Sequence, residues 1–161
     1  MAAVGRFVDQ LLVENRVNAT VLRRLCDDDD DGIGDEGVIQ SLIDDAEAIV
    51  IGAAVTEYEI ANLPATPEAA VLTNGGKLLQ RITLDLIQGA AYDRFPEYVR
   101  NDGQTHTEQA MKLVRMVARA ELRLEGLGQD PANVGGETVA FDENEEEPVR
   151  FWTGTGGTGI F

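Results

Sequence analysis

The stretch DDDDDGIGDE, residues 27–36, holds seven carboxylates and two glycines in ten positions. Carboxylates at alternate positions ahead of a glycine are the donor pattern of a calcium loop. Hard cations take oxygen ligands, and a loop that delivers them from every second residue then needs a sharp turn. Asp27, Asp29 and Asp31 fall at loop positions 1, 3 and 5, with Gly32 at 6 and Asp35 at 9. Position 12, where a bidentate Glu completes the shell, is Val38, and position 8, usually aliphatic, is Gly34. The pattern gives four candidate metal ligands, Asp27, Asp29, Asp31 and Asp35, without the residue that supplies two of the oxygens. The expectation is a solvated acidic turn that flanks the N-terminus of the following helix, worth about 0.3–1 kcal/mol per well-placed charge. Calcium is expected to bind there in the millimolar range at most.

Other reactive residue types lack partners in the sequence. His106 has no second His or Cys at ligand spacing, which argues against zinc. Ser41 is the only serine and has no nearby His, so no hydrolytic triad is legible. Cys26, the only cysteine, could meet His106 in space, but a buried structural thiol is the expectation. The glycines of GTGGTG, residues 154–159, are followed by no Lys and open no helix, so they make no phosphate loop. The expectation is a protein with no catalytic residues and no cofactor.

Composition narrows the classes further. Thirteen basic residues face twenty-nine acids, for a net charge of -16 and a pI near 4.2, so non-specific gripping of nucleic acid or anionic membrane is disfavoured. The length of 161 residues suits one domain with a short appended segment. With 43% apolar residues but only 6% aromatics, the core must be built from Leu, Ile, Val and Ala. One cysteine cannot form an internal disulfide, which fits a reducing compartment. The first residues have no signal-peptide pattern and no stretch is long enough to span a membrane, so a soluble protein made in the cytoplasm is expected.

The elements that would position these residues are helical. Residues 5–13 and 19–26 read as short helices, with Phe7, Val8, Leu11 and Leu12 on one stripe, Val21, Leu22 and Leu25 on another, and Asn18 capping the second. Ile39, Leu42, Ile43, Ala46, Ile49, Val50 and Ala53 recur at steps of three and four. That places a helix over 36–54 with Asp44, Asp45 and Glu47 on its outer side. Residues 61–76, with two prolines and Asn-Gly-Gly, read as a long inter-helix loop that leaves the helical body. A helix over 77–93 buries Leu79, Ile82, Leu86 and Ala90. A last one, capped by Thr105 or Thr107 and running over 105–125, buries Ala110, Leu113, Val114, Val117, Ala120 and Leu124 until GLGQDP stops it. Residues 1–128 thus make an all-α helical bundle. Residues 129–161, rich in Gly, Thr and Glu, read as an extended acidic arm. Its Phe151, Trp152, Ile160 and Phe161 have no core of their own and are candidate partner-binding residues.

The order of these pieces resembles the head-tail connector (adaptor or head-completion) proteins of tailed phages, in particular a Mu-like family of small helical proteins. The likeness is carried by VLRRLCDDDDDGIGDEGVIQSLIDDAEAIVIGAAV (21–55), the prolines of 63–67, LLQRITLDLIQGAAYDRF (78–95), the helix over 110–124 and the final Gly-x-Phe. The fuller acidity of the turn and the N-terminal helix pair depart from that pattern. The resemblance implies a structural virion protein in the neck of the capsid: a homo-oligomeric ring, of about twelve subunits in the family's manner, between the portal protein and the tail or neck proteins, with double-stranded DNA passing through. An acidic lining suits such a channel, because carboxylates and phosphates repel. Two other readings stand beside it, a calcium-binding helical module and an acidic DNA-mimic inhibitor. The concentration of acids in two runs, 27–36 and 142–147, counts against mimicry.

Overall fold

The structure, a computed structural model, describes residues 2–29, 31–32, 34–94 and 103–128. The arm over 129–161, with Phe151, Trp152, Ile160 and Phe161, lies outside the described residues. Among those described the fold is all-α: α1 (Gln10–Val17), α2 (Ala19–Leu25), α3 (Glu36–Ala54), α4 (Pro67–Ala70), α5 (Asn74–Asp93) and α6 (Gly103–Ala118). The one β-type pairing among them is a bridge between Val4 and Asp9.

The chain enters through a turn, not through a helix from residue 5. The Gly5 N–H donates to the Val8 carbonyl at 2.8 Å, and α1 starts only at Gln10, where the Asp9 carboxylate caps the Leu12 N–H at 2.8 Å. Phe7 and Val8 are fully buried from within this turn, whereas Leu11, expected on the same stripe, is 64% exposed. Asn18 joins α1 to α2 with a positive φ of 74° and caps Thr20, as the sequence led us to expect. With ψ at 121° it lies outside the left-handed helical well that Asn favours.

α3 spans the expected residues and buries Ile39, Ile43, Ala46, Val50 and Ala53. Ile49 stays 43% exposed. Glu47, expected on the outer side, is instead buried. Its Oε2 accepts from the Arg6 N–H at 2.7 Å and its Oε1 from the N–H groups of Phe7 at 2.6 Å and Val8 at 3.3 Å. Three backbone donors in one turn hold a carboxylate that the apolar stripe alone would have excluded. Gly5 permits the approach, since a Cβ there would stand 2.5 Å from Ile43 Cγ2.

α5 is the axis of the bundle and packs against α1, α2, α3, α4 and α6. It begins at Asn74, three residues before the expected start, because the Thr73 hydroxyl caps the Gly76 N–H at 2.9 Å. Gly75 and Gly76 are helical here because neighbours press on them: a Cβ would lie 2.7 Å from Leu124 C at the first and 2.9 Å from Ala70 C at the second. α5 is buried on almost every side, Asp85 included, whose carboxylate meets Arg16 at 2.5 Å. Ala90, expected inside, faces out.

The connection between α3 and α5 is long, but it is no excursion. It folds back as a 3-10 turn (Ile60–Asn62) and then α4, burying Leu63 and Ala70. The Arg6 guanidinium pins it, donating to the carbonyls of Pro64 at 2.6 Å and Ile60 at 2.9 Å. In this connection apolar side chains are exposed at Ile60 (55%) and at the Val71–Leu72 end (46% and 80%). α6 starts at Gly103, so Thr105 and Thr107 lie within it and not ahead of it, and it ends at Ala118, not near 125. The Ala120 N–H reaches the Val117 carbonyl and the Glu121 N–H the Met116 carbonyl, a helix-ending bond pair with Ala120 at φ 55°. Ala120 is therefore exposed, while Leu124 is still buried, by a turn whose N–H donates to the Tyr58 hydroxyl at 2.7 Å.

Candidate metal centre

The acidic stretch joins α2 to α3. α2 closes on Cys26, whose N–H donates to the Leu22 and Arg23 carbonyls, and the Asp35 N–H returns to the Cys26 carbonyl at 2.8 Å. This bond joins the two ends of the turn. Within it the Asp27 carboxylate accepts from the Asp31 N–H at 3.0 Å and the Gly32 N–H at 2.8 Å. Asp29 accepts from the Asp31 N–H at 3.3 Å. Gly32 takes φ +82°, the left-handed turn that position was expected to supply. Gly34 packs against α2, where a Cβ would stand 3.0 Å from Arg23 Cα.

These bonds bring one carboxylate oxygen from each of Asp27, Asp29 and Asp31 within 4.8 Å of one another, at the protein surface. Asp35, the fourth candidate ligand, is not in that group. Its side chain accepts from the Asp28 N–H at 3.0 Å and makes no capping bond to α3. Val38, at the position of the missing bidentate ligand, is half-buried on α3. Asp28 is not among the three and pairs with Arg94 from the end of α5.

The electrostatics follow the geometry. The Asp31 N–H pulls the Asp29 carboxyl down, but repulsion from Asp31 and Asp35, partial desolvation and a hydrogen bond with Asp27 outweigh it and leave Asp29 above its ordinary value. Cys26 beneath the turn is buried, as expected. Desolvation, eased by Arg94 and reinforced by Asp28 and Asp35, pushes its thiol up to about 11. A thiol so held is a poor nucleophile at neutral pH. No hydrogen bond among the described residues joins it to His106, which lies on α6, and Ser41 stands exposed on α3.

Sequence reasoning missed Glu47 and Asp85 as buried charges. The signal was register: Glu47 lies four residues after Ile43 and three before Val50, and Asp85 three after Ile82. No protein-family model, no curated protein and no solved structure matches the chain. No helix among the described residues is long and apolar enough to cross a membrane.

Proposed function

We propose that the chain is a helical module whose 27–31 turn takes up a divalent cation of the calcium class. The observation that carries this reading is the 4.8 Å span of the Asp27, Asp29 and Asp31 oxygens. Ligands on opposite sides of a calcium ion, each about 2.3–2.6 Å away, stand at most roughly 4.6–5.2 Å apart. Oxygens within that bound are close enough for one ion to draw all three carboxylates onto itself by small side-chain shifts, with water completing the shell. Lacking the bidentate ligand at Val38, the site belongs with loops of about 10⁻⁴–10⁻³ M affinity. The ion would tie the C-terminus of α2 to the N-terminus of α3 and relieve the repulsion that raises Asp29. Calorimetric titration with calcium, on the chain and on Asp29→Asn, tests this. Millimolar-range binding that Asp29→Asn removes supports the reading, and equal heats from both proteins would end it.

A second reading takes the chain as a head-tail connector, a structural protein that forms a ring below a phage portal and joins it to neck proteins. It is supported by the order of acidic turn, α3, α5 and α6, which follows the resemblance, and by the net charge of -16, which suits a channel for DNA. Phe151, Trp152, Ile160 and Phe161 would be the partner-binding anchors. Truncation after Glu147 should leave a helical protein that no longer attaches to portal-bearing capsids. Unchanged attachment would count against the arm and against this reading.

A further inference from the structure

We infer that the cavity between α1, α2 and the start of α3 binds a small zwitterion, an α-amino acid with a short aliphatic side chain. The cavity has a volume of about 240 Å³. That is just under the roughly 300–1,000 Å³ of drug-sized sites. At about 30 Å³ for each water-sized group it has room for about eight, which is the size of valine.

Its lining combines an apolar floor with two opposite charges. Leu22 of α2 and Ile39 of α3 are buried and supply the floor. Arg23 stands exposed beside Leu22, and Glu14 is half-buried on α1. The Gln10 side chain is engaged at both ends: its oxygen accepts from the Ala3 N–H at 3.1 Å and its NH₂ donates to Glu14 Oε1 at 2.8 Å. That bond orients the Glu14 carboxylate without neutralising it. Among the described residues no Lys or Arg pairs with Glu14, and no acid pairs with Arg23. The two charges therefore line one cavity and do not meet. Glu36, also at the cavity, already has a partner of its own.

The charges choose the ligand. A simple amine would set its charge against Arg23, and a simple carboxylate would set its charge against Glu14. A zwitterion answers both. Its carboxylate takes the fork of the Arg23 guanidinium, and its ammonium takes the lone pairs that Gln10 leaves on Glu14. Its aliphatic side chain then covers Leu22 and Ile39. Ion pairs this close to solvent contribute little, so the affinity is in the range of about 0.1–10 mM. Asp27, Asp29 and Asp31 do not line the cavity, so this inference is independent of the cation reading.

Titration of the full chain with L-valine, followed by amide NMR shifts with calcium removed by a chelator, tests it. The Gly32 and Gly34 amides, at the cavity wall, should shift and saturate. Isobutylamine, which lacks the carboxylate, and isovalerate, which lacks the ammonium, should each bind at least about tenfold more weakly. Arg23→Gln should erase the preference for valine over isobutylamine. Glu14→Gln, which retains the acceptor that Gln10 uses, should erase the preference over isovalerate. Circular dichroism melts verify the fold of both variants, and if either melts early the three ligands on the wild type decide the matter. No shift at Gly32 and Gly34 with valine up to about 50 mM, equal binding of the three ligands, or folded variants that keep both preferences would each overturn the inference.

Discussion

Glu47 offers the sharpest test of how the entry segment is held. Its carboxylate is 7% exposed and accepts three backbone N–H bonds, at 2.6, 2.7 and 3.3 Å, from the turn at Arg6, Phe7 and Val8. Hydrogen bonds to a charged group are each worth roughly 1.5–3 kcal/mol, and a buried donor left without a partner costs about 1–3 kcal/mol. Two of the three bonds are short enough to count fully. Glu47→Ala should therefore destabilise by about 3–5 kcal/mol, the range for breaking a buried charged contact, out of a total of roughly 5–15 kcal/mol. Glu47→Gln retains one acceptor but turns an NH₂ toward a donor, and should cost about half as much. Urea unfolding followed by circular dichroism gives the free energies. Hydrogen exchange at the Arg6, Phe7 and Val8 amides gives the local readout, which should lose protection in Glu47→Ala before the rest of the bundle does. A loss below about 1 kcal/mol, or unchanged exchange at those amides, would refute the claim that the carboxylate holds the turn.

Four further outcomes follow from the same structure. Gly5→Ala should destabilise by about 1–3 kcal/mol, because the new Cβ meets Ile43 Cγ2 at 2.5 Å, while Ala120→Gly should stabilise by about 0.5–1 kcal/mol by relieving φ 55° at the end of α6; thermal melts of both variants give the two signs. The Cys26 thiol, raised from 9.0 to about 11, should resist a soluble disulfide reagent at pH 8 in the folded chain, and the stability it contributes should be full below pH 9 and lost as pH rises through about 11, read from denaturant midpoints across that window. Because Asp29 binds its proton more tightly than an ordinary carboxyl, calcium uptake should weaken as pH falls through the range just above the ordinary Asp value, which titrations at stepped pH will register.

Where a segment is half-buried and regular, its sequence announces it. α3 came out at its expected bounds because one face is apolar, the other is charged, and nothing inside breaks the period. The start of α5 was hidden because Asn-Gly-Gly reads as a turn by composition. Only the pressure of Leu124 and Ala70 on those glycines explains why they are helical. The end of α6 was hidden because Ala120 occupies the left-handed position where Gly would have signalled the stop. Ala90 was assigned inward by a simple stripe, but α5 is buried on nearly all sides and has no single stripe. In the acidic turn, spacing alone named the three carboxylates that meet. What it could not give was the fate of Asp35, because a side chain that can bind an ion can equally accept from the backbone at Asp28.

The acids of this protein therefore divide by what answers their charge. Glu47 is answered by three backbone N–H groups and Asp85 by Arg16, and both are buried within the bundle. Asp28 is answered by Arg94. Asp27 and Asp29 accept backbone N–H bonds, yet no described Lys or Arg pairs with either, and their oxygens converge with that of Asp31 to the span of one ion's shell. Hydrogen bonds position carboxylates but do not neutralise them, and repulsion from Asp31 and Asp35 helps to hold Asp29 above its ordinary value. Two things relieve that repulsion, a proton at low pH or a cation at neutral pH. The Asp35 N–H bond to Cys26 and the Asp28 N–H bond to Asp35 close the turn against its own charge. On the proposed cation reading, occupancy would then follow pH and cation concentration without a rearrangement of the fold.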